Sequence, residues 1–187
     1  MEREIKNKSA LDEFCIEFCK IVESYTEYII VSGFMVIASG RTRGTEDIDM
    51  IIPRLKKEEF IRLHNDITKN KFVCIQSDNP DNIYDEYLVQ NVSVRYTYKN
   101  RPLPEMEIKF VKDGLDNYQL KTKRKLPLTG LDIWFSSVNM NIAFKEEYLK
   151  SPKDMEDAQH LRKVYDNEIN ENEINKIKEM IRKYRMQ

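Results

Sequence analysis

Hydrophobic and polar residues follow two different periods in the first part of the chain. Apolar side chains recur at helical spacing from residue 11 to residue 25, which predicts an amphipathic helix with Ser9 as its N-cap. The β-branched runs at 28–32 and 47–52 predict two short strands. The apolar run 34–39 between them lacks a two-residue alternation and predicts a short buried helix.

The remainder of the chain changes from strand-like to helix-like patterns. The predicted strands are 72–76, 83–89, 92–98, 105–111 and 131–135. The predicted helices are 56–69, 140–149, 153–165 and 174–184. Gln90 and Asn91 separate two of the strand runs and are predicted to form a hairpin turn.

This order of elements predicts an α+β fold, with a mixed sheet flanked by helices and followed by a helical C-terminal portion. The chain has 187 residues, which is enough for one domain with its own core. We therefore expect residues 1–136 to form the core and residues 137–187 to pack on it as part of one structural unit.

Charge and composition exclude several classes of function. The chain has 31 Lys and Arg residues against 32 Asp and Glu residues, so it lacks the strongly basic surface of a protein that binds large nucleic acids. The sequence contains no apolar run of membrane-spanning length and no leader pattern, so a cytoplasmic protein without a membrane partner is expected. The basic run 121–125 is either a solvated loop or a contact for a phosphate-bearing acceptor.

Candidate chemistry begins with Asp47 and Asp49 at the start of a predicted strand. Alternate residues of a strand point to one face, so the two carboxylates project together, about 6–7 Å apart. At an effective dielectric near 20 they repel by roughly 2–3 kcal/mol. Solvent-facing acids on an edge strand would show the same pattern, but Mg²⁺ would offset the repulsion and leave positions open for phosphate.

The neighbouring sequence favours the metal-binding alternative. Gly33 follows a strand and begins a helix, whose free N–H groups suit a phosphate. Arg43 and Thr45 lie close enough along the chain to reach the same ligand. Glu107 on a neighbouring strand offers a third acid for a two-metal site. Glu105 shares its strand face, but we prefer Glu107 because it lies deeper in the strand, whereas Glu105 is expected at the solvated end.

The segment 28–52 resembles the signature of the nucleotidyltransferase superfamily with the DNA polymerase β-type fold. The resemblance is closer to the small prokaryotic branch that includes abortive-infection and type IV toxin-like nucleotidyltransferases. The residues that match the first motif of that branch are Gly33, Gly40, Arg43, Thr45, Asp47 and Asp49. Ser32 replaces the first glycine of the usual pair, and its Cβ is expected to narrow the approach of the phosphates while its hydroxyl supplies a donor.

A second block, 131–165, resembles the downstream motifs of the same branch. Its matching residues are Lys145, Lys153, Asp154, Asp157 and Leu161. The resemblance implies that Lys145, Lys153 and Asp154 contact the nucleotide or the acceptor. The alternative is that they fix the helical tail to the core through ion pairs, and Asp157 is expected to be such a structural partner.

The resemblance implies a Mg²⁺-dependent transfer of a nucleoside monophosphate from a nucleoside triphosphate to a hydroxyl acceptor. It implies that Asp47, Asp49 and Glu107 are both the catalytic residues and the ligands of two Mg²⁺ ions, with Mn²⁺ as an alternative. Ser32, Gly33, Arg43 and Thr45 would bind the nucleotide. The acceptor would be a protein, a tRNA end or a small molecule, and an antitoxin protein is a further expected partner. The rival hypothesis is a non-catalytic module that binds nucleotide or a partner.

Overall fold

The computed structural model describes residues 8–186 and contains one mixed sheet. Its strands are β1 Ile29–Val31, β2 Asp47–Ile52, β3 Phe72–Cys74, β4 Val94–Tyr98 and β5 Glu105–Phe110. They lie in the order β1–β2–β5–β4–β3. Strands β2 and β5 run parallel, and the other neighbours are antiparallel. This arrangement confirms the predicted α+β fold.

Helices flank the sheet throughout the described residues. They are α1 Ala10–Glu23, α2 Gly33–Ala38, α3 Lys57–Lys69, α4 Pro80–Asn82, α5 Gly114–Lys121, α6 Val138–Phe144, α7 Pro152–Val164 and α8 Glu171–Arg185. Ser9 caps α1 as predicted, because its hydroxyl accepts a hydrogen bond from the Asp12 N–H at 3.1 Å. Helix α6 continues directly into a π-helical turn at Lys145–Leu149.

The two faces of β2 carry different side chains. Ile48, Met50 and Ile52 are fully buried and belong to the main core, together with residues of α1 and α3. The opposite face carries Asp47 and Asp49 at the beginning of the strand. The buried Ile51 continues this second face and packs in a small apolar cluster, so both faces of β2 fix the strand that carries the candidate site.

The segment predicted as a strand at 83–89 is helical instead. Asn79 caps α4, which leads into a π-helical turn at Ile83–Tyr87 and a 3₁₀ turn at Leu88–Gln90. Its buried Ile83 and Leu88 are five residues apart, a spacing that suits one face of a π-helical turn. The predicted hairpin turn is also wrong, since Asn91 ends the 3₁₀ turn with a left-handed φ of 61°.

The predicted strand 131–135 forms only isolated bridges. The Ile30 N–H donates to the Trp134 carbonyl at 2.8 Å, and the Ser136 N–H donates to the Ile30 carbonyl at 2.9 Å. Leu131, Ile133 and Phe135 are buried, so the predicted alternation of side chains is present without a continuous ladder. Within residues 8–186, no helix is both long enough and apolar enough to cross a membrane.

Candidate active site

Four acidic side chains share one face of β2 and β5. Asp47 pairs with Glu105, and Asp49 pairs with Glu107, in the parallel register. Paired residues of neighbouring strands project from the same face, as do residues two apart on one strand. Because neighbouring strands are only about 4.8 Å apart, negative charge is concentrated at the beginning of both strands.

Asp49 is difficult to ionise in this setting. Burial, followed by the Glu107 charge, raises the pKa of Asp49 to about 6. The Lys109 ammonium and a hydrogen bond to Ser32 act in the opposite direction. A divalent cation would reverse this electrostatic cost, because a nearby positive charge favours the ionised carboxylate.

Glu107 is the acid that lies directly opposite Asp49, but its carboxylate is already engaged. It accepts hydrogen bonds from the Ser93 hydroxyl at 2.8 Å and from the Arg95 Nε at 3.1 Å. The expectation that Glu105 lies at the solvated end is wrong, since its side chain is 17% exposed against 23% for Glu107. The Arg95 guanidinium covers both acids, with Nε 3.6 Å from Glu105.

The donors of the site fit a cation that arrives with phosphate ligands. Within the described chain, no three His, Cys, Asp or Glu side chains converge as a complete metal site. However, Mg²⁺ is commonly held by one or two carboxylates together with substrate phosphates. Asp47 and Asp49 supply two carboxylates of this kind, and Asp49 also lines a cavity.

Ser32 joins β1 to α2 in a backbone conformation that favours glycine. Its φ is 65° and its ψ is −135°, a region in which a Cβ causes strain. This conformation accounts for the preference for glycine at this position in the motif that the sequence resembles. The Ser32 N–H donates to the Asn141 side-chain oxygen at 3.1 Å, which ties the turn to α6.

Ser32→Gly is expected to leave the protein about 1–3 kcal/mol more stable than Ser24→Gly does, as measured by urea unfolding, because only Ser32→Gly relieves backbone strain. Both variants lose a serine hydrogen bond, that of Ser32 to Asp49 and that of Ser24 to the Lys20 carbonyl, and both gain freedom in the unfolded chain. Ser24→Gly is the matched control, because Ser24 has an ordinary φ of −72°. Equal destabilisation by the two substitutions would contradict strain at Ser32.

Gly33 and Arg43 are in close contact, which explains the glycine. A Cβ on Gly33 would lie 2.0 Å from the Arg43 Nη2 and 3.7 Å from the Thr45 hydroxyl oxygen. Both predicted nucleotide-binding side chains therefore reach the beginning of α2. The Arg43 Nε is buried without a hydrogen-bond partner in the described part of the chain, and a phosphate oxygen would supply the missing acceptor.

Gly33→Ala is expected to displace Arg43 and weaken nucleoside triphosphate binding by about tenfold or more. The reason is that the alanine methyl group would overlap with the Arg43 guanidinium, which must then move away. Gly44→Ala is the matched control, because a Cβ there meets nothing within 4 Å. Titration calorimetry with Mg²⁺ and each nucleoside triphosphate makes the measurement, and equal affinities for the two variants would contradict the prediction.

The C-terminal residues of the motif form a buried ionic cluster. Lys145 is 1% exposed, and its ammonium lies 2.9 Å from Asp157 and 3.2 Å from Asp154. Burial opposes ionisation of Asp154, but hydrogen bonds from Ser151 and the charge of Lys145 lower its pKa overall. Lys153 is exposed on α7 and takes no part in the ion pairs of the described residues. These contacts match the ion-pair alternative for Lys145 and Asp154.

Asp157 is the centre of this cluster and connects it to the phosphate side of the site. Its side chain is fully buried, with Arg41 at 2.7 Å, Arg43 at 3.4 Å and Lys145 at 2.9 Å. The expectation that Asp157 is a structural partner therefore agrees with its contacts. Its connection to Arg43 also means that α7 holds a predicted nucleotide-binding side chain in place.

A cavity of about 290 Å³ opens between the acidic face of the sheet and the C-terminal helices. Asp49, Lys109 and Lys145 line its polar part, and Phe144 and Tyr148 line its apolar part. The basic run does not contribute to this cavity. Instead, two of its three lysines form ion pairs at 2.6 Å, Lys123 with Glu27 and Lys125 with Asp132, which fits the solvated-loop alternative.

Sequence reasoning missed several residues around the site. They are Arg41, Ser93, Arg95, Lys109 and Asn141. The alternation of β5 places Lys109 on the face of Glu105 and Glu107, and the alternation of β4 places Arg95 opposite the buried Val94 and Tyr96, but the sequence carries no comparable signal for the others. The alternation of β4 could have placed Arg95 beside the acids only once the β4–β5 register was known.

Solved nucleotidyltransferase structures share this fold. The crystal structure of an antigenic nucleotidyltransferase-like protein from Paracoccidioides brasiliensis superposes with a TM-score of 0.55 at 16% identity, over 93% of this chain and 88% of that chain. ANT(2")-Ia in complex with adenylyl-2"-tobramycin gives a TM-score of 0.56 at 12% identity, over 94% and 98%. The solution structure of the antibiotic-resistance factor ANT(2'')-Ia gives 0.54 at 12% identity, over 92% and 93%.

No protein-family model and no curated protein matches the sequence. At identities of 12–16%, the structural likeness establishes the fold. The predicted resemblance to nucleotidyltransferases is therefore confirmed at the level of the fold, and the closer resemblance to the small prokaryotic branch stays a prediction.

Proposed function

We propose that this chain, which has the nucleotidyltransferase fold, transfers a nucleoside monophosphate from a nucleoside triphosphate to a hydroxyl acceptor with Mg²⁺. The observation that carries the proposal is the pairing of Asp47 and Asp49 on one strand face, beside the contact between Gly33 and Arg43. The acidic pair suits a metal ion, and the unsatisfied guanidinium donor suits a phosphate group. Together they suit a complex of Mg²⁺ and triphosphate better than they suit free Mg²⁺ or free triphosphate.

Asp47 and Asp49 would hold Mg²⁺. When bound, the ion would neutralise part of the triphosphate charge and polarise the phosphoryl oxygens. Arg43 would bind phosphate oxygens through its buried guanidinium, in the position that Asp157 fixes. The Thr45 hydroxyl donates to the Asp47 carbonyl at 3.1 Å, so Thr45 would orient the beginning of β2. Together these side chains would keep the α-phosphorus in line with the attacking group.

Glu107 would accept the proton of the acceptor hydroxyl. The hydroxyl oxygen forms a bond to the α-phosphorus while the bond from that phosphorus to its bridging oxygen breaks, and pyrophosphate leaves. The hydrogen bonds from Ser93 and Arg95 would orient the Glu107 carboxylate for this proton transfer. The products are the nucleotidylated acceptor and pyrophosphate.

The proposed acceptor is a protein side chain, a tRNA end or a small molecule. ANT(2")-Ia was solved with adenylyl-2"-tobramycin, which makes a polyhydroxylated small molecule a concrete candidate. Asp49 and Lys109 both line the cavity, so its polar part offers a hydrogen-bond acceptor and a donor to the hydroxyl groups of such a molecule. We also propose a cytoplasmic location for the protein, because nucleoside triphosphates are available there as substrates.

The proposal is tested with α-labelled nucleoside triphosphates, Mg²⁺ and three acceptor pools: cell protein, total tRNA and tobramycin. We expect label in one pool, pyrophosphate release in equal amount, and no transfer by Asp47→Ala. Asp132→Asn is the matched control, since its side chain is 95% exposed and lies outside the site. Failure of the wild type to transfer label to any pool would contradict the enzymatic proposal.

A toxin-like role is the finer form of the proposal and has its own test. Induced expression would arrest growth if the acceptor is an essential protein or tRNA, and Asp47→Ala would restore growth. An antitoxin would then be the protein whose co-expression also restores growth. Unchanged growth with the active protein would contradict the toxin-like role while leaving the transfer reaction intact.

One observation favours the rival hypothesis of a non-catalytic nucleotide-binding module. The Glu107 carboxylate is engaged by Ser93 and Arg95, so the third acid is not free to complete a metal site. The module would show saturable binding of nucleoside triphosphate without release of pyrophosphate. The labelling experiment distinguishes the two functions, because only the enzyme forms both products.

A further inference from the structure

The two oxygens of Glu107 are held from one side of the sheet. Strand β5 lies between β2 and β4, and both donors to Glu107 belong to β4 or to the residue just before it. The Ser93 hydroxyl donates to Oε1 at 2.8 Å, and the Arg95 Nε donates to Oε2 at 3.1 Å. The carboxylate is therefore drawn towards β4 and away from Asp47 and Asp49 on β2.

Arg95 lies where positive charge is needed on this face. It is the partner of Glu107 in the antiparallel register, and its Nε is also 3.6 Å from the Glu105 carboxylate. One guanidinium thus contacts both acids of β5. A guanidinium remains charged at all physiological pH values and can contact two carboxylates at once.

The charge of the whole face is consistent with one further divalent cation. The four paired carboxylates of β2 and β5 are accompanied by the Arg95 guanidinium and the Lys109 ammonium. Two negative charges remain, which a single divalent cation balances. A second divalent cation at Glu107 would have to compete with Arg95 for the same carboxylate oxygens.

We propose that Arg95 takes the place of a second metal ion, so that the site binds one divalent cation at Asp47 and Asp49. This inference rests on the proposed function and departs from the two ions that the sequence resemblance implies. Glu107 then belongs to the acceptor side of the site, where Arg95 positions it as a base. Arg95 is a positioning residue, because it acts through Glu107.

The test counts the Mn²⁺ ions bound per chain by equilibrium dialysis against saturating Mn²⁺ and a saturating non-transferable nucleoside triphosphate analogue. The Arg95 side chain is 46% exposed, so Arg95→Gln is expected to fold, which thermal unfolding checks. We expect one Mn²⁺ per wild-type chain and two per Arg95→Gln chain. The second Mn²⁺ should bind Arg95→Gln at least tenfold more tightly than a second Mn²⁺ binds the wild type. Arg95→Lys keeps the charge, and Arg62→Gln on the exposed surface of α3 is the matched control. Both should bind one Mn²⁺.

A double variant identifies the ligand of the gained ion. Adding Glu107→Gln to Arg95→Gln should remove the second Mn²⁺ and leave the first. Two Mn²⁺ in the wild type, or no gain in Arg95→Gln, would overturn the role of Arg95 while leaving the proposed function intact. Absence of Mn²⁺ from every variant would overturn both, since the proposed function requires a cation at Asp47 and Asp49.

Discussion

Asp49→Asn is expected to abolish nucleotidyl transfer while making the protein more stable. Asparagine has nearly the same size but cannot supply the charge that binds Mg²⁺. Loss of several kcal/mol of transition-state stabilisation corresponds to a decrease in rate of about 10³-fold. The same charge is costly in the folded protein, because burial and then Glu107 raise the pKa of Asp49 to about 6.

The gain in stability follows from the direction of this pKa shift. A rise from 3.8 to about 6 corresponds to about 3 kcal/mol, which solvent screening reduces to ~1–2 kcal/mol. The pKa of Asp49 is higher in the folded protein than in the unfolded chain, so the folded wild type holds this proton more tightly. Its free energy of unfolding therefore decreases by the same ~1–2 kcal/mol as the pH increases from about 4 to about 6. The advantage of Asp49→Asn should therefore grow between pH 4 and pH 7 and stay constant above pH 7.

Thermal unfolding without metal measures this advantage, which should reach about 2–8 °C at pH 7.5 for a chain of this size. Mg²⁺ with nucleoside triphosphate should raise the wild-type melting temperature and leave Asp49→Asn unchanged. Retention of transfer by Asp49→Asn, or a melting temperature below that of the wild type across this pH range, would contradict the assignment of Asp49.

Asp157→Ala is expected to cause the largest loss of stability, about 3–5 kcal/mol. The carboxylate is fully buried and neutralises Arg41, Arg43 and Lys145. Its removal leaves Lys145, which is 1% exposed, with Asp154 as the remaining carboxylate partner among the described ion pairs. Buried positive charge without compensation is more costly than the loss of a surface ion pair.

Urea unfolding measures this loss, with Asp132→Ala as the matched control. Asp132 also forms an ion pair, but its side chain is 95% exposed, so its removal should cost at most about 1 kcal/mol. A similar small effect for both variants would contradict the role of Asp157 as the centre of a buried cluster. Where Asp157→Ala still folds, Arg43 is released, and nucleotide affinity should decrease as well.

The first block of the site could be predicted because its signals are local. The Asp47–Asp49 spacing determines a shared strand face whichever strands are neighbours. Gly33 begins α2, and Arg43, which contacts it, lies in the connection between α2 and β2, so the two are close in sequence. Such features depend on the backbone geometry of a few residues, which the sequence pattern determines directly.

The features that sequence reasoning missed depend on contacts between distant parts of the chain. Arg95 meets Glu107 only through the β4–β5 register, and the segment 83–89 contains residues typical of strands yet is helical in its tertiary setting. Helix α5 was not predicted, although Asp113 caps it through the Leu115 and Asp116 N–H groups. Its helical face is short, and its amphipathic pattern is weak.

The placement of the cation tests the account most directly. Crystals grown with Mn²⁺ and a non-transferable nucleoside triphosphate analogue would locate the ion by its anomalous scattering. We predict one peak between the Asp47 and Asp49 carboxylates, with phosphate oxygens in contact with Arg43. A nucleotide bound elsewhere on the molecule, or an ion that contacts neither aspartate, would contradict the proposed active site.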